Sequence, residues 1–532
     1  MNADCGAPTG MARAVPTSRR GRVVRGFVAL LCEQGIRTFR HVILVPLFLR
    51  YWSAATYGEW LALTSLTAYL STFDLGLNTA GVNRLTQEYA RGNLAAYARY
   101  QASALGFYGV TAAAGSLLLA LAVWQLPVAW WLGLRTIPPD QAAWVTWLLG
   151  VQILLAMPVG FLVNIYRTTG RLAWTVWLGN IRWLAVLALV PVVLGLGGGM
   201  RALAGVNLIP LAAAAGFVLW HGSRQWPALM PRLTAARVSA LREVMRPSLL
   251  FALMTLANAL ALQGAVLLVV TRLGGAAVAV FVTSRTLTSL IRQAVLTVNN
   301  TLWPHLTAME ATGDYGRLRV IHRFIVLGST GLSVAFAAAL WQVGPEVIAV
   351  WSGGKLAADV GLLQLLLVQV VLQAPWVASS VLPTAFNRPQ AVAVASAVSS
   401  VVALAVAALL IQRYGVPAVP IGLIVGEALA CYVFVPREAC RLVREEFWWF
   451  AVRQWVGLTV GVAFTFPAAW GVAQIAAGPL VLRWIEVGAA ALAASFLALW
   501  MAGLDADERR LLAKRGRASL ARLGFVAASQ RA

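Results

Sequence analysis

Glu33, Arg37, Arg40 and His41 recur near the start of the chain at helical spacing: 33 to 37 and 37 to 41 are four residues apart, and 37 to 40 three. On a helix they form one polar stripe. Arg285, Thr288, Ser289, Arg292 and Asn299 share a second face, and Thr255 and Asn258 stand about one turn apart between the two sets. All are embedded in apolar residues. A charge near the centre of a bilayer costs several kcal/mol, so such a group normally faces a partner or a wet cavity. Arginine offers phosphate a planar fork of paired donors and stays charged in apolar surroundings. The chemistry available is therefore recognition of an anion rather than bond making. Two arrangements are open. In one, Glu33 pairs with Arg37 at i,i+4 and the remaining arginines bond backbone carbonyls or reach an interface. In the other, the arginines share a cationic cavity. Arg37, Arg40, Arg182, Arg285 and Arg292 outnumber the deep acids Glu33 and Asp74, which favours the cavity. Arg182, isolated on its own helix, is the weaker contributor.

The elements that position these residues are membrane helices. Of 532 residues 60% are hydrophobic and only 11% charged, which excludes a soluble globular fold. A bilayer core needs about 20 apolar residues per helix, and such runs recur at about 27–49, 59–80, 101–124, 142–163, 172–194, 202–220, 248–270, 276–299, 324–343, 360–382, 391–411, 416–435, 454–474 and 484–503. The runs are continuous rather than alternating, which excludes a transmembrane barrel. The expected fold is all-α and polytopic, with about 14 spans. If the N-terminus is cytoplasmic, thirty of the 42 basic residues fall on the cytoplasmic side and seven on the outer side, one per outer loop. Both termini are then cytoplasmic.

The chain also reads as duplicated. Pro158 precedes Arg171 by thirteen residues, and Pro375 precedes Arg388 by the same thirteen, at an offset of 217. Arg25 and Arg246 repeat at 221. An even number of spans separates the copies, so the repeat is parallel, about an axis along the membrane normal. The expected organisation is a basic cytoplasmic N-terminus (1–25), a first six-helix bundle (26–220), a cytoplasmic linker (221–246), a second six-helix bundle (247–436), an appended helix pair with its preceding loop (437–503) and a basic cytoplasmic tail (504–532).

Other features carry less. Cys5, Cys32, Cys431 and Cys440 lie singly, without CxxC or Cys/His spacing, so neither a disulfide framework, a metal site nor a cofactor is indicated. The net charge of +23 reflects retained cytoplasmic loops rather than a nucleic-acid partner. Of the 42 basic residues only Lys355 and Lys514 are lysine. The first apolar run is interrupted by Glu33, Arg37, Arg40 and His41, unlike a cleaved signal peptide. Trp130-Trp131 and Trp448-Trp449 read as interfacial belts, and the basic tail from Arg509 to Arg522 as a solvated or lipid-surface segment.

Tyr57-Gly58, followed after one helix by Phe73-Asp74-Leu75-Gly76-Leu77, resembles the opening two helices of lipid-linked oligosaccharide flippases, the Wzx-type polysaccharide transporters of the multidrug/oligosaccharidyl-lipid/polysaccharide (MOP) superfamily. Ser284-Arg285-Thr286-Leu287 and Pro304 extend the resemblance, while Phe281 stands where a Tyr is common. The resemblance implies two six-helix bundles in a V, with the first, second, seventh and eighth helices lining a central cavity. It further implies that Arg37, Arg40, Arg285 and Arg292, with Asn258, bind the pyrophosphate of an undecaprenyl-linked oligosaccharide whose lipid tail stays in the membrane lipid. The setting would be the bacterial cytoplasmic membrane, in association with polysaccharide assembly proteins, for O-antigen or other polysaccharide biosynthesis. Asp74 or Glu33 would bind a coupling cation, H+ or Na+, or balance the arginines. The alternatives are a MATE-like multidrug/cation antiporter, which requires acids to dominate the cavity, and a membrane glycosyltransferase or polymerase, which requires catalytic groups on a sizeable outer loop. No catalytic residue is apparent, and the sequence points to no enzyme.

Overall fold

Lipid offers the backbone no hydrogen-bond partner, so a run of about 20 apolar residues must close its own hydrogen bonds as a helix. The computed structural model describes residues 19–386 and 388–503. Most of the basic N-terminus and the whole tail 504–532 therefore lie outside the described residues, as do the side chains of Arg25, His41, Arg246 and Pro304.

Among the described residues the chain forms fourteen successive helical rods and no strand. The rod α1 is Arg19–Tyr51. In α2, Ala54–Ala68 passes through a 3-10 turn at Tyr69–Asp74 into Leu77–Ala90. Then come α3 (Leu94–Gln125), α4 (Pro139–Thr168), α5 (Leu172–Gly195) and α6 (Met200–Gln225). The next rod, α7, joins Val238–Ala259 to Ala265–Leu273 through a π turn at Leu260–Gly264, and α8 is Gly275–Thr312. The last six are α9 (Tyr315–Trp351), α10 (Val360–Ala385), α11 (Gln390–Tyr414), α12 (Ala418–Leu442), α13 (Phe447–Ile475) and α14 (Leu480–Met501). Eleven rods are long and apolar enough to cross a membrane. The other three, α1, α2 and α8, fall where the sequence places its first, second and eighth spans and carry its polar residues. The protein is an all-α, polytopic membrane protein.

Local chemistry sets the rod ends. Asn93, Asp314 and Asp359 cap α3, α9 and α10 by accepting the backbone N–H three residues on, at 3.1, 3.1 and 2.9 Å. Small residues set the closest packing. A Cβ on Gly422 or Gly426 would lie 2.3 Å from a carbonyl of α11, so the four-residue glycine spacing lets α12 and α11 touch backbone to backbone. The two prolines of the sequence repeat mark equivalent breaks: α4 is interrupted at Asn164, six residues after Pro158, and α10 at Ser380, five after Pro375.

The rods α1–α6 pack among themselves, as do α7–α12, and α13 and α14 lie against α9. The two sets meet through α1 and α2 against α8, and through α7 against α2 and α3. Helices one, two, seven and eight thus meet at the middle of the molecule, where the polar stripes were expected. The link between α6 and α7, which holds 3-10 turns at Pro227–Leu229 and Leu233–Ala235, is shorter than the 221–246 read from sequence, because α6 runs on to Gln225 and α7 starts at Val238.

Candidate functional site

On α1, Glu33 and Arg37 form an i,i+4 ion pair at 2.6 Å, with Arg37 half exposed. One turn on, the Arg40 guanidinium lies 3.8 Å above the Trp183 ring of α5, and Arg182 lies 5.1 Å from the same ring. Among the described residues neither Arg40 nor Arg182 has an ion-pair partner. The aromatic face compensates part of their desolvation but leaves their N–H forks free for an anion. This group gathers three cations around one carboxylate. Arg182, isolated in sequence, joins it because α5 packs along α1.

The second half treats its arginines differently. Arg285 on α8 donates from Nη1 to the Leu262 carbonyl at 2.7 Å, inside the π turn of α7, and rests on Phe281. A π turn shifts the carbonyl register, and the guanidinium meets a carbonyl exposed there. Arg292 points away from α1 into the second half, where with Gln373 and Ser333 it lines a cavity with room for about one water molecule. Gln373 in turn donates to Glu427 of α12 at 2.6 Å, joined by Gln369 at 2.8 Å and Trp376 at 3.4 Å. Glu427, 4% exposed, is a deep acid that the charge comparison in the sequence omitted. Its signal was present as a single Glu within the twelfth apolar run, beside glutamines on the tenth.

Between the halves, Gln34 and Thr38 of α1 both donate to Gln293 Oε1 of α8, at 2.8 and 3.3 Å. Arg37 stands between Gln34 and Thr38 in sequence, and Arg292 adjoins Gln293, so the polar stripes of α1 and α8 do meet. The functional groups at the seam are glutamines, which the search for charges passed over. Asn258 and Thr255 of α7 are exposed. The expected site residues therefore form separate groups: Glu33, Arg37 and Arg40 with Arg182; Arg285 at α7; Arg292 beside the Glu427 cluster; and Asp74 elsewhere in the first half.

Asp74 closes the 3-10 turn that breaks α2. Leu75 and Gly76 follow with φ of 50° and 70°, a left-handed pair that stops the helix and restarts it at Leu77. The Asp74 carboxylate accepts the hydroxyl of Tyr108 on α3, and Asn164 of α4 donates to Asn78 at 3.0 Å. Phe73-Asp74-Leu75-Gly76-Leu77 thus builds a discontinuous helix whose polar ends are held by α3 and α4.

The arginine-poor end of the seam is closed. A Cβ on Gly58 would fall 1.7 Å from the Gly275 carbonyl, so α2 and α8 are in backbone contact there. Trp351 donates to the Val42 carbonyl at 2.5 Å, and Lys355 to the Leu49 carbonyl at the end of α1. Glu59, 1% exposed, accepts the backbone N–H of Arg135, Thr136 and Ile137 at 2.7, 3.0 and 2.9 Å and the Thr136 hydroxyl at 2.8 Å. One buried carboxylate thereby fastens the loop between α3 and α4 beside the seam.

The fold is shared with solved transporter structures. The fold matches an inward-facing multidrug resistance MATE family transporter of the MOP superfamily with TM-score 0.67 at 14% identity, covering 80% of this chain and 99% of that one. It also matches the lipid II flippase MurJ, in an inward closed conformation, with TM-score 0.63 at 10% identity, over 90% of this chain and 99% of that one. An outward-facing MATE transporter of the MOP superfamily gives 0.57 at 15% identity, over 81% of this chain and 98% of that one. No family model and no curated protein matches the sequence. The fold is that of MOP-superfamily transporters, in agreement with the resemblance read from the motifs.

Proposed function

We propose that the protein flips an undecaprenyl-pyrophosphate-linked oligosaccharide across the bacterial cytoplasmic membrane by alternating access, for O-antigen or other polysaccharide biosynthesis. The observation that carries this reading is the group on α1 and α5, where, among the described residues, Arg40 and Arg182 lack acidic partners and Arg37 pairs with Glu33. Such a group attracts an anion and repels the cationic drugs of an antiporter. Arg37 and Arg40 take the pyrophosphate, and Arg285, Arg292 and Asn258 join them from the second half as the halves rearrange, while the lipid tail stays in the bilayer. The fold matches a flippase over 90% of the chain with TM-score 0.63 and a MATE transporter over 80% with TM-score 0.67, so the arginine group and not the fold favours flipping. The distribution of basic residues over the fourteen expected spans supports a cytoplasmic side for the arginine-rich end and both termini; the closed end then faces outward and the headgroup loads from within. Polysaccharide assembly proteins are the expected partners. No enzymatic role is proposed.

A second reading, a MATE-like cation antiporter, is favoured by one observation, the buried Glu427. In the flippase reading Glu427 joins Asp74 and Glu33 as a group that could bind the coupling H+ or Na+. Transport of a fluorescent lipid-pyrophosphate saccharide in proteoliposomes separates the readings. Wild type should flip it, and Arg37→Ala and Arg40→Ala should lose tenfold or more, about 1.4 kcal/mol of binding. Normal flipping by both folded variants would sink the proposal, and efflux of a cationic dye without lipid flipping would establish the antiporter.

A further inference from the structure

At the arginine-rich end, α12 stops in a turn that stacks two reactive side chains. The Glu445 N–H donates to the Cys440 carbonyl at 2.8 Å and the Arg444 N–H to the Arg441 carbonyl at 3.2 Å, with Arg444 at a φ of 58°. This is a Schellman closure with arginine where glycine is usual, and it sets Cys440 and Glu445 as the pair of residues that meet across the helix end. His322 of α9 faces them. Its Nε2 lies 3.2 Å from the Ser379 hydroxyl of α10, and its ring stacks on Phe450 with centroids 4.9 Å apart. With Nε2–H donating to Ser379, the lone pair of Nδ1 is directed at Glu445.

Glu445 is oriented in the same manner. Arg323 donates to Oε1 at 2.5 Å and leaves Oε2 turned toward His322. His322 Nδ1 and Glu445 Oε2 stand 3.8 Å apart, too far for a hydrogen bond. Both atoms are buried without a partner, on side chains 0% and 2% exposed. With that tautomer two acceptors face each other in a dry site, which is costly unless a cation lies between them. The Cys440 sulfur completes a triad whose ligand atoms all lie within 4.8 Å of one another.

We propose that His322, Cys440 and Glu445 bind a zinc ion. A tetrahedral zinc ion holds N, O and S donors at about 2.0–2.3 Å, which separates neighbouring donors by roughly 3.4–3.7 Å. The triad matches this after shifts of about an ångström at most. Thiolate and carboxylate neutralise the metal, the nitrogen is imidazole, and the Ser379 and Arg323 contacts are the outer-shell bonds that orient metal ligands. A water takes the fourth position. The ion would tie α9 to the α12–α13 turn, and so fasten the appended pair α13–α14 to the second bundle.

The full-length protein, purified in detergent with its affinity tag removed and stripped by chelator, is reloaded with Zn2+ and its metal content measured. Wild type and Cys431→Ser should retain about one zinc per chain, and Cys440→Ser and His322→Gln should lose it. Loading with Co2+ should give wild type the near-ultraviolet thiolate-to-metal absorption. Zinc retained by Cys440→Ser overturns the proposal. So does Co2+-loaded wild type without the thiolate band, a result independent of whether any variant folds, and the cluster is then an ion pair of His322, Arg323 and Glu445.

Discussion

Arg292 and Glu427 show how one residue in an apolar span acquires a partner. Neither is near the other in sequence, yet Gln373 lines the cavity of the first and donates to the second. Breaking one member of a buried polar network costs more than removing both, because the survivor is left charged and unmatched. Arg292→Met should therefore lower the thermal stability of the purified protein by about 1–3 kcal/mol. Glu427→Gln in the same chain should recover part of that loss. Additive effects in the double variant would show that the two charges are independent. The arginines were legible in the sequence because intramembrane cations are rare. Their destinations were not: the Leu262 carbonyl that holds Arg285 is set by a π turn, and the Trp183 face under Arg40 by the packing of α5 on α1.

At the scale of elements, two local devices set how the rods are arranged. The first is the break in α2. If Asp74 serves that break by accepting hydrogen bonds, Asp74→Asn keeps an acceptor and flips substrate at near the wild-type rate, whereas Asp74→Ala destabilises the fold by about 1–2 kcal/mol. A folded but inactive Asp74→Asn would instead make its charge the coupling group. The second device is the glycine contact between α2 and α8. Gly58→Ala forces that contact apart, so Ala279→Cys, buried beside it, should become more reactive to an impermeant maleimide added from the arginine-poor side. Unchanged reactivity would mean that the closed end does not depend on the contact. The rods themselves were readable, since a bilayer imposes their length and composition. The break was hidden because Tyr69–Asp74 continues an apolar run, and its left-handed Leu75 follows no local preference. The buried Glu59 stood at the edge of an expected span, and its four donors come from a loop some 75 residues on, beyond the reach of spacing arguments.

For the whole molecule, charge bookkeeping and the Pro-to-Arg repeat give a testable arrangement. Reporter domains fused after Arg453 and after Arg509 should both report the cytoplasmic side, with α13 and α14 crossing out and back. Opposite locations would remove one of the last crossings and invert the tail. The parallel breaks in α4 and α10, each about one and a half turns after a proline, support two halves related by a shared architecture. The halves have nonetheless diverged in charge. In the first half Arg37, Arg40 and Arg182 gather around the single carboxylate of Glu33; in the second, Arg292 and Gln373 line a cavity with room for about one water, and Gln373 donates to the buried Glu427.

Lys355 gives this transition a chemical handle. It is one of only two lysines in the chain, and its ammonium is engaged with the Leu49 carbonyl across the closed seam. An acylating reagent applied to the outer surface meets that amine hydrogen-bonded when the end is shut and released when it parts. The rate of Lys355 acylation would then report how often the closed end first parts in the unaltered protein, one modification per chain, without an introduced probe.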